Sequence, residues 1–187
     1  MNRVLSKKNI YTILFIILFI LCLIFFSERE KFKRDIIVNE VSEVVEIHLD
    51  YEEKNVDYND LIIEYGISKN LDINNDYKFS KSFCRYIKEN KESKSYDLLW
   101  DCNLIYGNKE SIINISFSKQ GHPLRKYVIE SDTLDVSIFK DTVVTVSKCY
   151  DNYMVNFQSD GVYYDITTFE VDEKEVIDLV ADLVLKD

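Results

Sequence analysis

The 187-residue chain carries 23 basic and 33 acidic side chains, for a formal net charge of −10, with four glycines, one proline, four cysteines and two histidines. So little glycine and proline leaves little room for long flexible linkers or a glycine-rich phosphate loop; with His48 and His122 the only histidines and no CxxC pair, the sequence offers little from which to build a zinc site. Residues 1–34 hold seven basic and two acidic side chains, which leaves 16 and 31 beyond them and about −15 on residues 35–187, a surface that repels nucleic-acid phosphates and anionic lipid.

The first element is Ile10 to Phe26, where only Tyr11 and Thr12 are polar. At ~1.5 Å per residue this stretch reaches roughly 25 Å, and Lys7, Lys8, Arg29 and Lys31 can lay their alkyl stems along it to make up the thickness of a bilayer core. A core helix would show polar residues at helical spacing, and the stretch has none beyond its first turn. The edge Leu23-Ile24-Phe25-Phe26-Ser27-Glu28 places large side chains where a signal peptidase requires small ones, and Leu21 stands before Cys22 where a lipoprotein site requires a small residue. The reading is an uncleaved single-pass anchor in the cell membrane. Basic residues nearly balance across it, with Arg3, Lys7 and Lys8 before and Arg29, Lys31, Lys33 and Arg34 after. A short basic N-terminus ahead of an uncleaved apolar segment behaves as a signal anchor, so the C-terminal domain is expected outside the cytoplasm. The expected organisation is a cytoplasmic N-terminus at 1–9, the transmembrane anchor at 10–26, a juxtamembrane connector at 27–42 and an extracytoplasmic β-rich domain at 43–187.

The domain is expected to be α+β, mostly antiparallel strands closed by a C-terminal amphipathic helix. Glu43 to Tyr51 alternates, with Val45, Ile47, Leu49 and Tyr51 on one face, although Val38, Val41, Val45 and Leu49 also fit helical spacing. A strand follows at Tyr77 to Ile87. The strongest period-two signal is Tyr96, Leu98, Trp100, Cys102, Leu104 and Tyr106, and the turn Gly107-Asn108-Lys109 returns it through Ile113, Ile115 and Phe117 as a hairpin. Gln120-Gly121-His122-Pro123 ends that unit. Strands are expected at Leu134 to Phe139, Thr142 to Cys149 and Tyr153 to Phe157, and Asp160-Gly161 turns the last into Val162, Tyr164, Ile166 and Thr168. Asp172 and Glu175 form a capping-box pattern ahead of Val176, Ile177, Val180, Leu183 and Val184 on one helical face, which packs as a lid on the sheet.

Tyr153-Met-Val-Asn-Phe157, Asp160-Gly161-Val-Tyr-Tyr-Asp165-Ile-Thr-Thr168 and Glu173-Lys-Glu175-Val-Ile-Asp-Leu-Val180 resemble an uncharacterised extracytoplasmic domain of clostridial membrane proteins and anti-sigma-factor-like proteins. The resemblance covers about residues 96 to 185 and implies a β-meander with a terminal helix outside the membrane. It carries over no catalytic residue. A sigma-binding region needs a folded cytoplasmic segment, and residues 1–9 cannot supply one, so signalling would run through a partner.

The candidate chemistries are sparse. Asp72-Ile-Asn74-Asn75-Asp76 opens like a calcium loop, but Tyr77 stands where the sharp turn requires glycine and Phe83 where a bidentate glutamate belongs. Cys102 or Cys149 with His122 would be a nucleophile and base, yet Cys102 sits mid-strand and His122 in a turn before Pro123. Of Cys84, Cys102 and Cys149 at most one pair can bond; Cys84 with Cys102 across neighbouring strands and buried free thiols both remain open. Tyr163-Tyr164 and Cys149-Tyr150 line a ligand groove or pack across strands, and Asn114-Ile115-Ser116 is a chance-level sequon. No catalytic, cofactor-binding or metal residue is assigned. The expected function is a non-catalytic, membrane-anchored binding or sensory module that meets an envelope protein, peptide or wall component. The alternatives are an accessory subunit of an envelope complex and, less favoured, an envelope enzyme.

Overall fold

A computed structural model describes residues 7–65, 73, 77–108, 110–129 and 133–185, and the chain divides into two compact units, residues 1–35 and 36–187. The described part of the first unit is a single helix, α1 (Lys7–Asp35), which from Ile10 onward is long and apolar enough to cross a membrane. The connector expected from Ser27 is helical as far as Asp35. Ser27 to Asp35 contains no glycine or proline to stop the helix, and Glu30 ties the last turn together: its carboxylate accepts from Lys33 Nζ at 3.3 Å and its carbonyl from Arg34 Nε at 3.2 Å.

The second unit is α+β. Its main sheet comprises β1 (Val38–Glu40), β3 (Glu52–Asn55), β4 (Lys78–Ile87), β5 (Leu98–Gly107), β6 (Ile112–Ser118), β8 (Ser137–Phe139), β9 (Thr142–Cys149), β10 (Asn152–Ser159) and β11 (Val162–Phe169). The spatial order is β1-β9-β10-β11-β6-β5-β4-β3, antiparallel except for β1 on β9. The outer edge of β9 is shared: β8 pairs with Thr142 to Val144, and β1 lies beside Val146 to Lys148. A separate two-stranded sheet pairs β2 (Val44–Glu46) with β7 (Tyr127–Ile129).

The meander has a ten-residue period. Eight-residue strands alternate with two-residue turns, and left-handed residues recur at Lys140 (φ 52°), Tyr150 (φ 54°), Asp160 (φ 51°) and Glu170 (φ 51°). Gly161 follows Asp160 at φ 75°, so both residues of that turn are left-handed, as a right-twisted hairpin with a two-residue loop requires.

One face of the sheet is the apolar core. Cys102, Leu104, Ile115, Phe117, Val144, Val146, Val155, Phe157, Tyr164 and Ile166 are buried there, with Phe157 stacked on Tyr164 at 4.8 Å between ring centroids. Helix α3 (Glu173–Val184) buries Val176, Leu179, Val180, Ala181 and Leu183 and packs against β10. Each such Val or Leu contributes about 1.5–3 kcal/mol relative to exposure. Asp172 caps α3, its carboxylate accepting from the Lys174 amide at 2.8 Å, while Glu175 accepts from the Tyr77 hydroxyl at 2.7 Å. A short helix, α2 (Tyr58–Tyr65), adds Leu61 and Tyr65, the latter edge-on to Phe117 at 4.8 Å.

The strands read from Tyr77 to Ile87 and from Tyr96 to Thr168 are present, with Leu134 to Phe139 shortened to β8. Glu43 to Tyr51 is not one strand. Only Val44 to Glu46 pairs, and the alternating Val45 and Ile47 are exposed, so that periodicity marks no buried face. Elements β1, β3, α2 and β7 had no expectation. β3 reads Glu-Glu-Lys-Asn, exposed throughout and held to β4 by backbone pairing, with Glu53 paired to Lys81 at 3.8 Å and Lys54 over the Tyr86 ring.

Candidate functional site

The opposite face of the sheet is polar yet largely covered. Register aligns its side chains in rows across the strands: Cys149 with Asn152 and Phe169 with Ile112; then Ser147, Met154, Thr167, Asn114 and Ile105; then Thr145, Asn156, Asp165, Ser116, Asn103 and Phe83; and finally Gln158, Tyr163 and Ser118, with Asp101 opposite Arg85. Asp101, Asn103, Ser116, Ser118 and Ser147 are buried although none is apolar.

The charged end is a buried network. Asp101 receives Arg85 bidentately, Nε to Oδ1 and Nη2 to Oδ2 at 2.7 Å each, and also accepts from the Leu124 amide at 2.6 Å and Asn103 Nδ2 at 3.0 Å. Arg85 Nη2 donates as well to the Leu124 carbonyl at 2.7 Å, and Ser116 Oγ donates to Asn103 Oδ1 at 2.5 Å. Next to it Arg125 pairs with Asp165. Burial lifts the Asp165 carboxyl above its ordinary range, with Arg125 drawing it back. No buried side-chain nitrogen or oxygen of this network is left without a hydrogen-bond partner, which marks it as structural rather than as a site with an unused group.

The uncharged end differs. Between the polar face and the β2–β7 sheet lies a half-open groove of about 560 Å³, lined among the described residues by uncharged side chains only, including Val44, Ile112, Asn114, Tyr127, Cys149, Tyr150, Asn152, Met154, Thr167 and Phe169. This is the size and largely apolar character of a small-ligand pocket. Tyr150 on its rim is 80 % exposed and Phe169 49 %. Asn114 Oδ1 and Asn152 Oδ1 are buried without a hydrogen-bond partner among the described residues, as are Asn156 Oδ1 and Ser147 Oγ on the same face. A buried acceptor left unpaired costs about 1–3 kcal/mol, and four on one face ask for a reason.

The structure places the earlier candidates as follows. Cys84 and Cys102 face each other across β4 and β5 and form a disulfide, so Cys102 has no thiol to act as a nucleophile. Cys149 is a buried free thiol. His122 lies against Tyr163 at 4.9 Å, with burial lowering its pKa. Asn152, the partner of Cys149, stands six residues from Gln158, the partner of Tyr163, so about 20 Å of strand separates thiol from imidazole and no Cys–His pair assembles. Tyr164 belongs to the core, Tyr163 to the His122 contact, and Cys149-Tyr150 to the groove. Asn114 of the sequon is half-buried in a central strand. The calcium-like stretch falls outside the described residues, Ile73 apart. Among the described residues no group of three or more His, Cys, Asp or Glu is arranged to hold a metal ion. The chain matches no family model, no curated protein and no solved structure.

Proposed function

We propose that this chain is a membrane-anchored binding module, non-catalytic, whose domain lies on the extracytoplasmic side and whose groove beside Tyr150 receives the ligand or partner that the module senses. The observation that carries the reading is the groove itself. It joins an exposed aromatic rim, Tyr150 and Phe169, to a largely apolar lining with no charged side chain among its described residues. Helix α1 supports the anchor by length and composition, and the Cys84–Cys102 disulfide supports a compartment in which thiols are oxidised.

The test is photocrosslinking in native membranes with a benzophenone amino acid in place of Phe169, on the groove rim, and as a control in place of Glu53, on the exposed edge strand β3. A partner captured from Phe169 and not from Glu53 is the expected result. Capture from Glu53 alone refutes the groove. Protease added to intact cells should remove the C-terminal domain, and full protection reverses the orientation. The alternative, an accessory subunit of an envelope complex, draws on a different surface: Ile138 and Val143 pair at the β8–β9 edge and are both exposed. Loss of a stoichiometric assembly on Ile138→Asp, with the Phe169 crosslink intact, favours it.

A further inference from the structure

Four exposed apolar side chains converge on the groove. Tyr127 of β7, Tyr150 of the β9–β10 turn and the cross-strand pair Ile112 and Phe169 are all exposed and all line it. Tyr150 is also held left-handed, a conformation that only glycine adopts without cost, at a position too exposed for packing to offset the strain. An exposed apolar rim around a concave site marks something that covers it, and strain kept where the fold gains nothing points to function.

The walls narrow the occupant. Polar atoms of the lining are engaged or shut away. Asn114 Oδ1 and Asn152 Oδ1 are closed to solvent, Asn114 Nδ2 donates to Ser116 Oγ at 3.4 Å, and Thr168 Oγ1 accepts from the Tyr153 amide at 3.0 Å. The Tyr153 hydroxyl donates to Glu173 at 3.2 Å. What the groove offers an occupant is chiefly hydrocarbon, aromatic ring and the Met154 thioether. A sugar or an extended peptide would bury hydroxyls or amides there without partners. A helix satisfies its own backbone but is about 10–12 Å across, and stacked sheets lie only about 10 Å apart, so it does not enter between β2–β7 and the main sheet. A hydrocarbon chain needs no polar partner and is thin enough. Its source is close: Val44 on the groove wall stands nine residues after Asp35, the last residue of α1, a reach of at most about 32 Å. The charge of about −15 on residues 35–187 repels an anionic headgroup. We propose, resting on the reading of this groove as the binding site, that it takes one acyl chain of a neutral or zwitterionic lipid drawn from the bilayer that α1 enters, with the headgroup left in solvent beside Tyr150.

The full chain carrying a benzophenone amino acid in place of Phe169 is irradiated in nanodiscs of mixed phosphatidylcholine and phosphatidylglycerol, where lipid is the only ligand offered, and the adduct is read by mass spectrometry. Benzophenone in place of Ile17, within α1, is the positive control. Benzophenone in place of Ile138 is the control for a domain that merely rests on the bilayer: Ile138 is exposed and pairs with Val143, six residues or about 20 Å along β9 from Cys149. Phe169 should capture phosphatidylcholine at least about tenfold more than Ile138 does. Ile112→Glu sets a carboxylate opposite Phe169 at an exposed position, so it should leave the melting temperature unchanged and lower the Phe169 adduct about tenfold, with the Ile17 adduct intact. Equal capture from Ile138 and Phe169, or an adduct that Ile112→Glu does not lower, overturns the seating of the chain in the groove. A predominance of phosphatidylglycerol overturns the choice of headgroup. No lipid on Phe169 in nanodiscs, with a protein captured from Phe169 in native membranes, overturns the lipid and keeps the groove. Neither lipid nor protein captured there overturns the proposal together with the groove reading.

Discussion

Removing the Asp101 carboxylate is the sharpest test of the polar layer. Asp101 is fully buried and accepts four hydrogen bonds, two of them from the guanidinium of Arg85, itself 7 % exposed. Asp101→Ala breaks two charge-assisted bonds worth about 1.5–3 kcal/mol each and strands a buried positive charge, so the loss is that of breaking a buried ion pair, about 3–5 kcal/mol. For a domain of this size that lowers the melting temperature by roughly 6–20 °C. The double variant Arg85→Met with Asp101→Leu strands no charge at this pair, leaving only the neutral backbone groups of Leu124 and the Asn103 amide without partners, and should recover at least about half of the loss. Trp100, the sole tryptophan, precedes Asp101 in β5 and donates to the His122 carbonyl at 3.0 Å, so its fluorescence reports melting of this layer in the detergent-solubilised full chain. A single-variant cost below about 1 kcal/mol, or a double variant as unstable as the single, refutes the reasoning.

Breaking the Cys84–Cys102 bond, whose partners are 18 residues apart, frees unfolded-chain entropy worth about 3 kcal/mol, so Cys84→Ala with Cys102→Ala should lower the denaturant midpoint accordingly, and an unchanged midpoint counts against the bond. Asp165 sets a pH dependence. Its folded carboxyl binds a proton at higher pH than the unfolded one, so the folded state holds the extra proton just above the ordinary carboxylate value and stability from this group falls as pH rises through that window. Denaturation midpoints of the parent and Asp165→Asn, compared from about pH 4 to 7, should differ by that slope, and a parent slope rising relative to the variant contradicts the assignment. Asp172→Ala removes the α3 cap and should cost about 1 kcal/mol by thermal melting; no loss would mean that Asp172 does not hold the helix start.

The core face was legible because it repeats in the chain: Leu98 to Tyr106, Ile113 to Phe117 and Val162 to Thr168 alternate, and covalent geometry turns alternation into a face. The polar face was not legible. Asp101, Asn103, Ser116 and Asp165 occupy the alternate positions of those same strands, where a polar residue ordinarily faces water, and nothing local to them tells burial from exposure. Of the groove, Cys149-Tyr150 was visible as an aromatic candidate. Asn114 appeared only as part of a sequon and Asn152 not at all, since an orphaned oxygen is defined by what surrounds it. Short elements failed for a related reason. β3 and α2 are held by β4 and by Phe117, partners far along the chain, rather than by a periodicity of their own.

By itself the sequence determined an apolar helix long enough to cross a membrane, a strand meander punctuated by tight turns, and a capped amphipathic helix, because period, turn chemistry and capping act between residues a few positions apart. Only the tertiary structure decided that the sheet is covered on both faces, that Cys84 meets Cys102, and that unpaired amide oxygens gather beside a strained tyrosine. Those depend on contacts such as Leu124 with Asp101 and Arg125 with Asp165, 23 and 40 residues apart. Their energy comes from desolvation, and desolvation exists only once distant segments have closed over one another.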